Sequence, residues 1–279
     1  MAKKALAFDE IGYWSEVKLE IVRKYASAYS TVIAKHAFLR GHAYIDGFAG
    51  AGSHVSKATG NAVPGSPRIA LQTTPPFTEV HLIDLDGSRA AALRRLSAGD
   101  PRVTVYQGDS NDVLLRDVFP RYRWEDFRRA LCLLDPYGLN IGWKVLETAG
   151  KMKSVEVFYN FMIMDANMNV FMRDPGKVSP EQAARMDFVW GDQTWRTAAY
   201  RRAQDLFGER EEKATNEEIA ESFRRRLEEV AGFKYVPQPM PMRNSKGAVV
   251  YYLYFASPNE IGGKIVADIF DTYRDKGMP

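Results

Sequence analysis

Five short apolar runs, each closing on a polar turn and each followed by a stretch of helical length, constrain this 279-residue chain more than any other feature. They are HAYIDGFAGAG (42–52), EVHLIDLD (79–86), RVTVYQGDSND (102–112), ALCLLDPYG (130–138) and SVEVFYNFMI (154–163). Helical candidates lie between them at 67–73, 87–98, 111–118 and 142–151. Strands that alternate with helices and are apolar on both faces belong to a parallel sheet covered on both sides. Ahead of the first run, Val17, Ile21, Val22, Tyr25, Tyr29, Val32 and Ile33 form a helical stripe over 15–38.

After residue 164 the rhythm changes. Residues 180–231 carry no strand pattern and read as several helices broken near Pro175, Gly191 and Gly208. GFKYVPQP and AVVYYLYFAS then read as two strands joined through MPMRNSKG, with a last helix over 260–275. The expected architecture is α/β: an N-terminal helix and ligand-binding core (1–164), a helical insertion or cap (165–231), and a terminal hairpin and helix completing the core (232–279).

A 46% hydrophobic chain of this length can bury one sizeable core. No apolar run approaches the roughly 18 residues of a membrane span, so no membrane association is expected. MAKKALAFDE lacks the apolar stretch of a signal peptide. The single cysteine, Cys132, excludes an internal disulfide framework and suits a reducing compartment; it reads as a small buried hydrophobe in a cytoplasmic protein. The formal charge of +3 is too small to demand a polyanionic partner. Two basic clusters, Arg121/Arg123/Arg128/Arg129 and Arg224/Arg225/Arg226, read first as solvated helix faces and second as a nucleic-acid patch. His36, His42, His54 and His81 show no ligand spacing, so no zinc site is expected.

In open parallel sheets, ligands bind beyond the carboxyl ends of the strands. That edge carries Asp46 with Gly47, Gly50 and Gly52, then Asp84 and Asp86, then Asp109 and Ser110, then Asp135, Pro136 and Tyr137, and last Asn160. A dinucleotide site wants G-x-G-x-x-G running straight into a helix whose amides hold the pyrophosphate. Here the order is G-x-x-G-x-G, an acid precedes it, and the helix is delayed by a loop with Gly60, Pro64, Gly65 and Pro67. Acidic strand ends repel a diphosphate. They suit S-adenosylmethionine, which has a ribose diol, an ammonium group and no phosphate.

YIDGFAGAG, HLIDLD, GDSN and LDPYG resemble the successive motifs of class I S-adenosylmethionine-dependent methyltransferases, which implies a Rossmann-like class I methyltransferase fold. WSEVKLEI, DGFAGAG, GSPRIAL, LDPYGLN, NFMIMDANMN and YLYFASPNEIGGKI together are similar to the three-Cys-motif partner protein family, across nearly the whole chain. The resemblance implies that Asp46, Gly47, Phe48, Gly50 and Gly52 face the methionine moiety. It implies Asp84 on the ribose hydroxyls, with Asp86 as the fallback, and Asp109 with Ser110 on the adenine amine. Asp135, Pro136 and Tyr137 would line the place where methyl leaves sulfur.

The related amino-methylating motif is Asp/Asn-Pro-Pro-Tyr/Phe, and DPYG lacks one proline. Base stacking by Tyr137 is therefore in doubt, while Asp135 can still orient an amine or act as a base; a plain turn with Pro at its second position is the bland alternative. Lys18, beside Trp14, reads as a residue reaching the cofactor mouth or as a solvated lysine. Asn160, Asp165 and Asn167 read as substrate contacts or loop caps. Arg201, with Arg185, Trp190, Trp195, Arg196, Tyr200 and Arg202, would give the cap a surface for stacked bases or anionic partners. Three functions stay open: a methyltransferase acting on an amine or hydroxyl of a nucleic acid or nucleotide-like substrate, a methyltransferase-like partner of a three-cysteine protein with weak or no catalysis, and, least favoured by the glycine order, a nicotinamide-dependent oxidoreductase.

Overall fold

The computed structural model describes the backbone of residues 9–205 and 208–274, with side chains excepted at 202–210. A short strand β1 (Glu10–Ile11) precedes the long helix α1 (Tyr13–Ala34). Strand β2 (Gly41–Asp46) enters the glycine turn, followed by a small hairpin of β3 (Ser53–Ser56) and β4 (Ala62–Pro64) and then helix α2 (Ser66–Gln72). Next alternate β5 (Glu79–Asp84), α3 (Gly87–Leu96), β6 (Val103–Gln107), α4 (Ser110–Val113), β7 (Arg128–Leu134), α5 (Trp143–Met152) and β8 (Val155–Phe161). The insertion holds α6 (Ile163–Asn169), α7 (Pro180–Trp190), α8 (Trp195–Ala199), β9 (Tyr200–Asp205), β10 (Gly208–Lys213) and α9 (Asn216–Glu229). The chain closes through β11 (Met240–Arg243), β12 (Val249–Ala256) and α10 (Glu260–Arg274).

The main sheet has seven strands in the order β11-β12-β8-β7-β2-β5-β6. Strands β6, β5, β2, β7 and β8 are mutually parallel, β12 runs antiparallel to β8, and β11 antiparallel to β12. It is a Rossmann-like, mostly parallel sheet with a hairpin at one edge. Every residue of β2 and β8 is buried, as strands covered by helices on both faces must be. One face packs against α5 and the helices of the insertion, the other against α1, α2 and α10. From β2 the chain moves outward to β5 and β6, then crosses back to β7 on its other side. The crevice beyond β2 is therefore the switch point, where ligands bind in such sheets.

Two details differ from the sequence reading. The first hairpin strand is Met240–Arg243, inside the segment expected to be the turn, and 232–239 meets the sheet only through the bridge Tyr235–Ser257. Pro237 and Pro239 supply no amide donors, whereas Met240 and Met242 alternate inward and are both buried. Pro241 is tolerated because β11 lies at the sheet edge. The insertion also contains the hairpin β9–β10, whose strands, among the described residues, pair only with each other. With arginine, glutamine and glutamate through both strands, it has no apolar alternation to be read.

Candidate active site

Three backbone-mediated ties hold the glycine turn at the switch point. Gly47 donates to the Leu133 carbonyl on β7 at 2.9 Å, Ala49 to Ile83 on β5 at 2.9 Å, and Gly50 to Asp84 Oδ2 at 2.9 Å. Gly50 and Gly52 adopt φ of +62° and +82°, a region where a side chain is strained. At Gly52 a Cβ would also stand 2.6 Å from Leu96 Cδ2. No helix start adjoins this turn: the β3–β4 hairpin intervenes and α2 begins only at Ser66.

A cavity of about 940 Å³ opens beside the turn, lined by Phe48, Asp84, Asp86, Asp109, Ser110 and Tyr137 among others. Each acid also has a structural task. Asp84 is buried and uses its second oxygen, Oδ1, to accept from the Asp86 amide at 2.8 Å. Asp86 caps α3 and Asp109 caps α4, each through Oδ1. Ser110 is buried and donates to the Gly47 carbonyl. The cavity also takes Arg89, Asn111, Leu139, Asn140 and Phe188, none of which was singled out from sequence for this edge, and Arg185, named there as part of the cap. Arg185 and Phe188 come from α7; Arg185 pairs with Asp165, and the Phe188 ring covers Gly142.

Beside the cavity lies a polar cluster. Lys18 on α1 is buried, and its ammonium bonds Asp135 Oδ2, while the Asn160 amide donates to Asp135 Oδ1. Burial alone would lower the Lys18 pKa, but the Asp135 carboxylate, with Tyr251 and Asp46 adding, holds it above its ordinary value. Asp46, with no exposure, is pushed up to about 7 by burial, against the Ser66 hydroxyl and the Phe48 amide; the nearby Asp135 charge adds to the rise. Asp46 Oδ2 and Asn160 Oδ1 are buried without a hydrogen-bond partner among the described residues. Such atoms are rare in native proteins and call for a water or a ligand.

Pro136 is buried and Tyr137 is 69% exposed. The Tyr137 hydroxyl donates to Asp9 at 3.0 Å and its ring carries the Arg89 guanidinium, so this side chain forms part of the rim. Arg201 does not line this cavity. It pairs with Glu212 and Glu218 in a separate groove, because those acids stand directly beside it on β10 and α9. The Arg202 side chain lies outside the described residues.

The backbone is similar to that of the Legionella pneumophila protein LPL1258, with a TM-score of 0.50 at 9% identity over 91% of each chain. Matches continue to a Thermobifida fusca putative methyltransferase (TM-score 0.43, 15% identity, 88% of this chain and 79% of that one). M. jannaschii TYW2 in complex with AdoMet also matches (TM-score 0.33, 12% identity, 87% and 75%). The fold is α/β, Rossmann-like, with a large and mostly parallel central sheet. At these identities the likeness is one of fold alone. No protein-family model and no curated protein matches the chain. Among the described residues, no helix is long and apolar enough to cross a membrane.

Proposed function

We propose that this chain is an S-adenosylmethionine-dependent methyltransferase of the three-Cys-motif partner type, acting on an amine or hydroxyl of a nucleic acid or nucleotide-like substrate. One observation carries the reading. The segments that resemble the partner family are scattered through the sequence, yet five of them deliver a polar side chain to one cluster: Lys18 from WSEVKLEI, Asp46 from DGFAGAG, Ser66 from GSPRIAL, Asp135 from LDPYGLN and Asn160 from NFMIMDANMN.

The residues present fit the cofactor. Asp84, Asp86 and Asp109 offer acceptors to hydroxyls and an amine, and at Gly50 no protein atom lies within 4 Å of where a Cβ would stand. The unpartnered Asp46 Oδ2 is an acceptor for an ammonium group. S-adenosylmethionine, when bound, supplies the electrophilic methyl. Lys18 and Asn160 hold the Asp135 side chain in place, where its carboxylate would stabilise a nucleophile that becomes positive as it is methylated.

Offering methyl-labelled S-adenosylmethionine with nucleic-acid, nucleotide and protein pools tests this. Label should enter a nucleic-acid or nucleotide pool with the parent chain and not with Asp135→Ala. Label confined to protein would reject the substrate class. Cofactor binding without label in any pool would favour the scaffold for a three-cysteine protein.

A further inference from the structure

The opposite end of the sheet carries a second cleft, of about 330 Å³, within the size range of small-ligand sites. It is formed at the amino-terminal ends of β7 and β8, with α1 as one wall. Arg129, Lys153 and Lys234 converge on it. Arg129 donates to the carbonyls of Trp124 and Arg128, stacks its guanidinium 3.6 Å from the Trp124 ring centroid, and is half-buried. None of the three cations has a carboxylate partner among the described residues.

The acids nearby do not offset them. Glu156 is buried, accepts from Tyr25 at 2.5 Å and from Ser257 at 2.8 Å, and is pushed up to about 7 by burial, so it carries only part of a negative charge near neutrality. Glu260 pairs with Lys264 at 2.7 Å. One further lining residue carries a polar group without a partner: the buried hydroxyl of Tyr29, a residue 5% exposed. Ile33, Tyr235 and Pro258 give the remaining wall an apolar character. Unpaired cations, an orphaned buried hydroxyl and an apolar wall together describe a site for an anion that carries a flat body.

We propose that this cleft binds a small organic anion with an aromatic or heteroaromatic body. Arg129, Lys153 and Lys234 take its carboxylate or phosphate, and the Tyr29 hydroxyl bonds it as well. The apolar wall takes the ring. The site is distinct from the cofactor edge, because Glu156 and Asn160 are four residues apart on β8, which places the two ends roughly 13 Å from one another. The inference does not depend on the proposed methyl transfer.

Calorimetry on the full chain with indole-3-acetate, and with indole-3-acetamide as its uncharged counterpart, tests the site. The acid should bind saturably and the amide about tenfold more weakly or worse. Lys153→Gln, at an exposed position, and Arg129→Gln should each weaken the acid by about fivefold or more, and added salt should do the same to the parent chain. Saturating S-adenosylhomocysteine should not displace the acid. Equal binding of acid and amide, displacement by S-adenosylhomocysteine, no effect of Lys153→Gln, or no saturable binding up to about 10 mM would each overturn the proposal.

Discussion

The Lys18 ammonium and the Asp135 carboxylate, 117 positions apart in sequence, form an ion pair at the carboxyl edge of the sheet, with the Asn160 amide on the other carboxylate oxygen. The pair fastens α1 to the end of β7 and fixes the orientation of Asp135. Lys18 is almost fully buried, whereas the Asp135 side chain keeps 30% of its exposure. The edge is therefore held together on its closed side and open on the side where a substrate would arrive.

Removing one partner leaves the other charge partly buried. Lys18→Met should destabilise the fold by about 1–3 kcal/mol, less than a fully buried pair because water reaches Asp135. Combining it with Asp135→Asn should recover part of the loss. Chemical denaturation of the two singles and the double reads this; simple additivity of the singles would deny the coupling.

Asp84 holds the Gly50 amide and lines the cavity, so Asp84→Ala should act twice. Cofactor affinity should fall by roughly 1.5–3 kcal/mol and thermal stability should fall with it. Asp86→Ala should lower Tm slightly through the lost α3 cap and leave affinity within about threefold. The reverse pattern in calorimetry would make Asp86 the ribose contact.

An acid whose folded pKa is raised binds its proton more tightly in the native state than in the unfolded one. Its contribution to stability is present below about pH 4 and is lost as pH rises toward 7. Asp46 and Glu156, both pushed up to about 7 by burial, are such groups. Asp46→Asn should therefore raise stability at pH 8, by on the order of 4 kcal/mol relative to its effect at pH 4. A pH-independent effect in denaturation curves would mean that Asp46 is ionised throughout.

Phe188 is half exposed beside the acids of the cavity, a placement suited to stacking on a base. Phe188→Ala should weaken S-adenosylhomocysteine by roughly 1–3 kcal/mol with little change in Tm. Arg201→Ala, which breaks only surface pairs with Glu212 and Glu218, should leave that affinity unchanged. Equal losses for both variants would point to a general disturbance of the insertion.

The sheet was legible because four of its five parallel strands are near-continuous apolar runs and the fifth, β6 at the edge, is a short alternating one, and the position of Asp46, Asp84, Asp109 and Asp135 at one rim follows from that order of strands and helices. The partnership of Lys18 with Asp135 was not, since no local pattern records which helix face meets a strand end 117 positions away. Phe188 was hidden for a similar reason: α7 reaches the cavity through the fold of the insertion, where short polar strands leave no periodic signal; Arg185 was named only as one of several cap arginines. The capping roles of Asp86 and Asp109 stand in the sequence as an acid before each helix. They explain part of the acid content of this edge without any ligand.

Calorimetry with S-adenosylmethionine and S-adenosylhomocysteine, with NADH as control, tests the central claim most directly. Saturable binding of both sulfur ligands, weakened by Asp84→Ala, with NADH binding far more weakly, is the predicted result. NADH binding tighter than either would contradict it.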